Sequence, residues 1–245
     1  MEVHAHTHTA RKKWKHYFWE FLMLFLAVFC GFMAEYQLEH KIEKDKEKQY
    51  IQSLLEDLHE DTGTLTETIN EFDGHLKRND TLIKLLTSDA IKNHGSDLYY
   101  LGRRASRSVR LALHDFTIQQ MKSSGGFRLI RNQKVSKAII EYYNRTVFIV
   151  YLNGIESNES DEYRKMATDV FHPVTFNDIV NPDNTIARPE NNPPLLTYDS
   201  KTLLRLAGMV SYIRNTKMGL MKAETEMKKA AIELIELIKK EYHLN

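Results

Sequence analysis

The sequence predicts an all-α protein with one N-terminal transmembrane helix, a helical stalk and an extracytoplasmic helix bundle. Three observations carry this. Residues 14–37, WKHYFWEFLMLFLAVFCGFMAEYQ, form an apolar run that cannot sit in water by itself. Ile51, Leu55, Leu58, Thr62, Leu65, Ile69, Phe72 and Leu76 alternate steps of four and three residues, the spacing of a helix-bundle core, the preferred reading, or of an intermolecular coiled coil. The stretch from Lys201 onward reads as one long amphipathic helix, and no segment shows the alternation of a strand.

Composition bounds the rest. The chain has 245 residues, a formal net charge of +1 and 27% charged residues, so most of it should fold as an ordinary globular domain. A balanced charge argues against a nucleic-acid partner. Cys30, the only cysteine, lies inside the apolar run, which leaves the remainder with neither a disulfide nor a cysteine-based metal site.

Residues 1–16 form a short basic tail. His4, His6 and His8 alternate there, and three imidazoles so close could take Zn, Cu or Ni. Nothing supplies a rigid outer shell, so no metal or other cofactor is expected. Phe21 to Ala34 carries no charge over fourteen residues, or ~21 Å of helix against the ~30 Å hydrocarbon core. Extension to Tyr17 and Tyr36 closes the gap, and Trp14, Tyr17, Phe18 and Trp19 make an aromatic belt at one end. A cleaved signal is the rival reading, with Arg11, Lys12, Lys13 and Lys15 as its basic region. Its cleavage site fails: ending at Ala34 puts Phe32 where a small residue is needed, and Phe29 spoils a lipoprotein signal at Cys30. A buried soluble helix is a third reading. The expectation is an uncleaved anchor over 17–36.

Four Lys/Arg precede the run and Lys41, Lys44, Lys46 and Lys48 follow it. The N-terminal cluster lies closer, so the expected orientation is N-terminus inside and the bulk of the chain periplasmic. Glu20, Leu24, Ala27, Gly31 and Ala34 share one helix face, with Cys30 alongside. Small residues at this spacing let helices approach closely in lipid. Glu20 has two readings: a snorkelling carboxylate paired with His16, which is preferred, or a packing or proton-linked site.

Residues 37–50 read as a charged, solvated stalk, and 51–245 as the bundle domain. GHLKRND, beginning at Gly74, is expected to break the seam helix, a short helix to cover TLIKLLTSDAIK, and NHGSD to turn the chain. LYYLGRRASRSVRLALHDF is expected to be helical, bringing Arg103, Arg107, Arg110 and His114 onto one face. That face is either solvated, the preferred reading, or an anion site. Ser123, Ser124, Gly125 and Gly126 make a sharp turn, followed by Arg128 and Arg131. A tight helix–helix corner is preferred there, and an anion or ligand site is the alternative. Asn132 is the expected N-cap of the next helix. All five prolines fall between Pro173 and Pro194, so 171–197 is expected to be a long surface loop.

No glycine-rich phosphate loop, HExxH, paired CxxC or GxSxG is present, and no catalytic residues are assigned. Two segments, HTARKKWKHYFWEFLMLFLAVFCGFMAE and TIQQMKSSGGFRLIRNQKVSKAIIEYY, resemble a family of uncharacterised single-span membrane proteins known mainly from Bacteroidetes. Ser124, Gly125, Leu129, Ile130, Asn132, Ile139, Tyr142 and Tyr143 fit the family pattern, with Gly126 as an addition. Glu20 resembles a carboxylate often found near the start of the family's span. The resemblance implies a bacterial inner-membrane protein and no particular activity. The expectation from the whole reading is a membrane-anchored, non-enzymatic binding or scaffold module. Its partners would be the bilayer and either a second copy or another membrane protein. The alternative is an accessory subunit of a membrane complex, packing through the Glu20/Ala27/Gly31/Ala34 face.

Overall fold

The computed structural model describes residues 14–244; the tail with His4, His6 and His8 lies outside them. The described chain is all-helical, with no strand among those residues and one isolated antiparallel bridge, Val180 to Ile186. Its helices are α1 (Trp14–Leu86), α2 (Gly95–Ala105), α3 (Phe116–Ser123), α4 (Gln133–Ala167), α5 (Pro173–Asp178) and α6 (Ser200–Tyr242). The chain divides into two units, residues 1–50 and 51–245. In the first, α1 carries an exposed apolar surface and then the mixed charges of 37–50.

In the second unit three long helices share a core. Each follows a seven-residue pattern of burial because two packed helices meet along one stripe. In α1 the buried line is Ile51, Leu54, Leu58, Asp61, Leu65, Thr68, Phe72, His75, Asn79, Leu82 and Leu86. In α6 it is Leu203, Leu206, Val210, Ile213, Lys217, Leu220, Glu224, Met227, Ala231, Leu234 and Ile238. Thr68 meets Glu224, His75 meets Lys217 and Asp80 meets Arg214, so this part of α1 is antiparallel to α6. Asn132 meets Glu241 and Glu156 meets Lys217, so α4 is antiparallel to α6 as well.

The expected seam is therefore corrected in register. Leu55, Thr62 and Ile69 are only half-buried flanks, while Leu54, Asp61, Thr68 and His75 form the inner column. GHLKRND does not break the helix. Gly74 costs ~1 kcal/mol of propensity, but its neighbours Phe72, His75, Leu76 and Asn79 are all buried, and packing prevails. TLIKLLTSDAIK is the end of α1 plus a 3-10 turn at Ile91–Asn93 rather than a separate helix.

The expected helix through Arg103–His114 is also corrected. It ends at Ala105, and residues 107–115 are irregular. The physical reason lies in what the segment spans. Arg107 O is bonded by Lys217 beside His75, and His114 N is bonded by Asp61. Those two levels are fourteen residues apart on α1, or ~21 Å of helix. Seven residues cross that distance only when nearly extended, at ~3.3 Å each.

Asn132 caps α4 as its residue type suggests: Oδ1 accepts from Lys134 N at 3.0 Å and Val135 N at 3.3 Å. Asp199 caps α6 by accepting from Thr202 N at 2.8 Å. The proline-rich stretch is more than surface loop. It contains α5, and Phe171, Ile179, Ile186 and Leu195 are buried in the core with Tyr99 and Tyr163. Tyr99 Oη ties it down, donating to Pro194 O at 3.0 Å and accepting from His172 N at 2.9 Å. A Cβ on Gly102 would collide with the Phe171 ring, so only glycine admits this packing.

Candidate functional site

The apolar segment is the first candidate. Phe21, Met23, Leu24, Phe25, Val28, Phe29 and Phe32 are all exposed, far beyond what a water-facing helix tolerates. Helix α1 is long and apolar enough to cross a membrane. Glu20 stands 3.1 Å from His16 one turn back, both about half exposed. Ala27, Cys30, Gly31 and Ala34 are exposed, and a Cβ on Gly31 would meet nothing within 4 Å.

The SSGG turn is a corner between α3 and α4. Ser123 and Ser124 both donate to Gln120 O, at 3.1 and 2.7 Å, which closes the end of α3. Gly125 has φ +67°, the left-handed conformation that glycine adopts freely, and Gly126 is buried. Arg128 and Arg131 are exposed.

The four residues of the expected basic face are dispersed because the helix stops at Ala105. Arg103 lies over the Phe176 ring at 4.9 Å. Arg107 donates to Asn184 Oδ1 at 2.9 Å. Arg110 is exposed and borders a cleft of about 370 Å³ with Ser108, Asn153 and Glu156. His114 approaches Glu60 at 3.3 Å and Asp61 at 3.4 Å.

A line of buried polar residues was missed by the apolar spacing. Lys217 is wholly buried. Its Nζ donates to Ala105 O at 3.2 Å and Arg107 O at 2.5 Å, and stands 3.5 Å from both Glu156 and His75 Nδ1. Glu156 accepts from Ser108 at 2.8 Å and Ser160 at 3.2 Å. Asp61 accepts from His114 N and Tyr142 Oη, each at 2.7 Å. Asp57 accepts from Thr117 N at 3.1 Å. An irregular segment pressed against a bundle cannot bond its own backbone, so side chains of the long helices do it instead. The signal was there in outline: Asp61, Thr68 and His75 recur every seven residues, as do Lys217 and Glu224.

Burial sets the electrostatics of this line. It lowers the Lys217 pKa against the pull of Glu156. It raises Asp61 above the usual carboxylate range despite the bonds it accepts. Glu224 rises for the same reason, opposed by the Thr68 hydroxyl at 2.5 Å. His75 falls to about 3, from burial and then the charges of Lys217, Arg78, Arg104 and Arg107. It is neutral at physiological pH.

Two further clefts are lined by arginine. One, of about 470 Å³, has aromatic walls of Tyr163, Phe171 and Phe176, with Arg103 and Arg164 beside them. Arg164 bonds Asp161 at 2.6 Å and Ser106 O at 3.0 Å. The other, of about 400 Å³, lies between the end of α1 and α2 and contains Lys77, Arg78, Tyr100 and the Arg188–Asp97 pair. Among the described residues no three His, Cys, Asp or Glu are grouped to hold a metal ion. No protein family, curated protein or solved structure matches the chain.

Proposed function

We propose that this chain is a membrane-anchored, non-enzymatic helical binding module. Its N-terminus lies inside, and its domain faces the periplasm of a bacterium whose inner membrane holds the anchor. The observation that carries the reading is the uncovered apolar length of α1 beside a folded domain with open clefts. The non-enzymatic part is supported by the use of the buried ionisable groups. Asp61, Glu156 and Lys217 are each committed to hydrogen bonds that hold the irregular segment 107–115.

The test is topological labelling. In a Cys30→Ser background, Lys201→Cys introduces one exposed thiol in the domain. A membrane-impermeant maleimide should label it in cells whose outer membrane alone is permeabilised. The protein should stay in the membrane pellet through alkaline extraction. Labelling only after lysis would overturn the orientation, and release by alkali would overturn the anchor.

A second reading, accessory subunit of a membrane complex, is favoured by one observation in the domain. Ile140, Val147, Phe148, Val150 and Tyr151 are exposed together on the outer side of α4. A partner polypeptide that co-purifies in stoichiometric amount would move the assignment there.

A further inference from the structure

Two guanidinium groups of the domain have no counter-charge of their own. Arg78 on α1 and Arg104 on α2 are both half-buried. Neither makes a hydrogen bond or salt bridge to another described residue, and the Nε of each is buried without an acceptor. They are close enough to repel: after burial, the charge of Arg104 is the largest influence lowering the Arg78 pKa. The acids nearby are engaged elsewhere. Asp97 pairs with Arg188 and lies 3.7 Å from His94. Asp73 pairs with Lys77 at 2.5 Å, and Asp80 with Arg214 at 2.7 Å. Glu71, whose charge does reach Arg78, is exposed and stands 3.7 Å from His75.

Withdrawing two like charges from water without an anion destabilises a fold. A cleft of about 400 Å³ opens at this point, lined by Lys77, Arg78, Thr81, Tyr100, Leu101, Arg188 and the Asp97 carboxylate that Arg188 pairs. Arg104 lies over the Tyr100 ring at 5.4 Å and Arg188 over the same ring at 4.9 Å, so cations surround the cleft on the α2 side as well.

We propose that this cleft binds a dianionic tetrahedral oxyanion, phosphate or a phosphate monoester, held by the Arg78 guanidinium in the field of Arg104. Two unpaired positive charges match a dianion, whereas a monocarboxylate would leave one unbalanced. Guanidinium presents its donors as a fork that fits phosphate oxygens. The proposal deepens the binding-module reading and rests on it. The labelling experiment reports the anchor and its orientation and this one the ligand, so either can fail alone.

The experiment is calorimetric and thermal titration of the full chain in non-ionic detergent with sodium phosphate, at constant ionic strength made up with chloride. Phosphate should bind saturably and raise Tm, and acetate should do neither. Arg78→Gln and Arg104→Gln should each weaken binding at least about tenfold, the worth of a charged hydrogen bond. Arg128→Gln, at the α3–α4 corner, should leave it unchanged. The source of the phosphate is separated by a second arm, in nanodiscs of phosphatidylcholine with or without phosphatidic acid, whose headgroup is a phosphate monoester. A response to free phosphate assigns a soluble ligand. An Arg78-dependent response confined to phosphatidic acid discs assigns a lipid headgroup. No Arg78-dependent response in either arm overturns the proposal, as does binding that survives Arg78→Gln or is lost in Arg128→Gln. Should a variant fail to fold, the wild type still decides: a Tm that rises equally with acetate overturns the site.

Discussion

Lys217 and His75 carry the sharpest expectations for single residues. Lys217→Met would leave Glu156 buried without its cation and two carbonyls without a donor. A broken buried pair of this kind costs about 3–5 kcal/mol, and the double variant with Glu156→Gln should recover part of it. Urea midpoints of the two variants check this, and a Lys217→Met protein as stable as wild type would sink the account. His75 has a folded-state pKa of about 3, below its unfolded value near 6.5. Above pH 6.5 it is neutral in both states and contributes no pH dependence. Below that, the unfolded chain takes up a proton that the folded chain refuses. Stability should therefore fall between pH 6.5 and 3, by at most about 1.4 kcal/mol per pH unit. Asp61 and Glu224, raised by burial, act in the opposite sense. The difference between wild type and His75→Gln isolates the histidine: its slope should vanish in the variant. These residues were hard to read from sequence because apolar spacing selects Leu55, Thr62 and Ile69. Only the seven-residue recurrence of Asp61, Thr68 and His75 points to the true inner column.

Among the elements, the irregular segment 107–115 takes the place where a bundle would ordinarily add another helix. It is held at one end by Lys217 and Glu156 and at the other by Asp61 and Asp57. Asp61→Ala removes acceptors from His114 N and Tyr142 Oη, and should cost about 2–4 kcal/mol. Hydrogen exchange should accelerate first around residues 112–117. Uniform loss of protection would show instead that the segment has no separate anchoring. Helix boundaries differed in legibility for a related reason. The Asn132 cap and the long α6 follow from local chemistry, so residue type announces them. The uninterrupted passage of α1 through Gly74 and the end of α2 at Ala105 are decided by distant partners. Gly102 belongs to the same class. Gly102→Ala would force the Phe171 ring aside, and should cost about 1–3 kcal/mol in thermal or denaturant unfolding.

For the whole molecule, the question is whether the span only holds the chain in the bilayer or also joins it to another span. Close helix packing in lipid needs small residues and tolerates a carboxylate only when it is paired or wetted. The carboxylate here has a partner on its own helix, since Glu20 lies 3.1 Å from His16. Gly31 has open space where a side chain would go. A helix that serves as an anchor should therefore accept both Gly31→Leu and Glu20→Gln. The measurement is the native mass of the full-length chain, gently solubilised from its own membranes, for wild type and both variants. The expected result is one unchanged mass for all three, with membrane retention intact. If wild type instead carries a stoichiometric second polypeptide that Gly31→Leu strips away, the small-residue face is an interface. The chain would then be an accessory subunit, and the domain's clefts would have to be understood as part of that assembly.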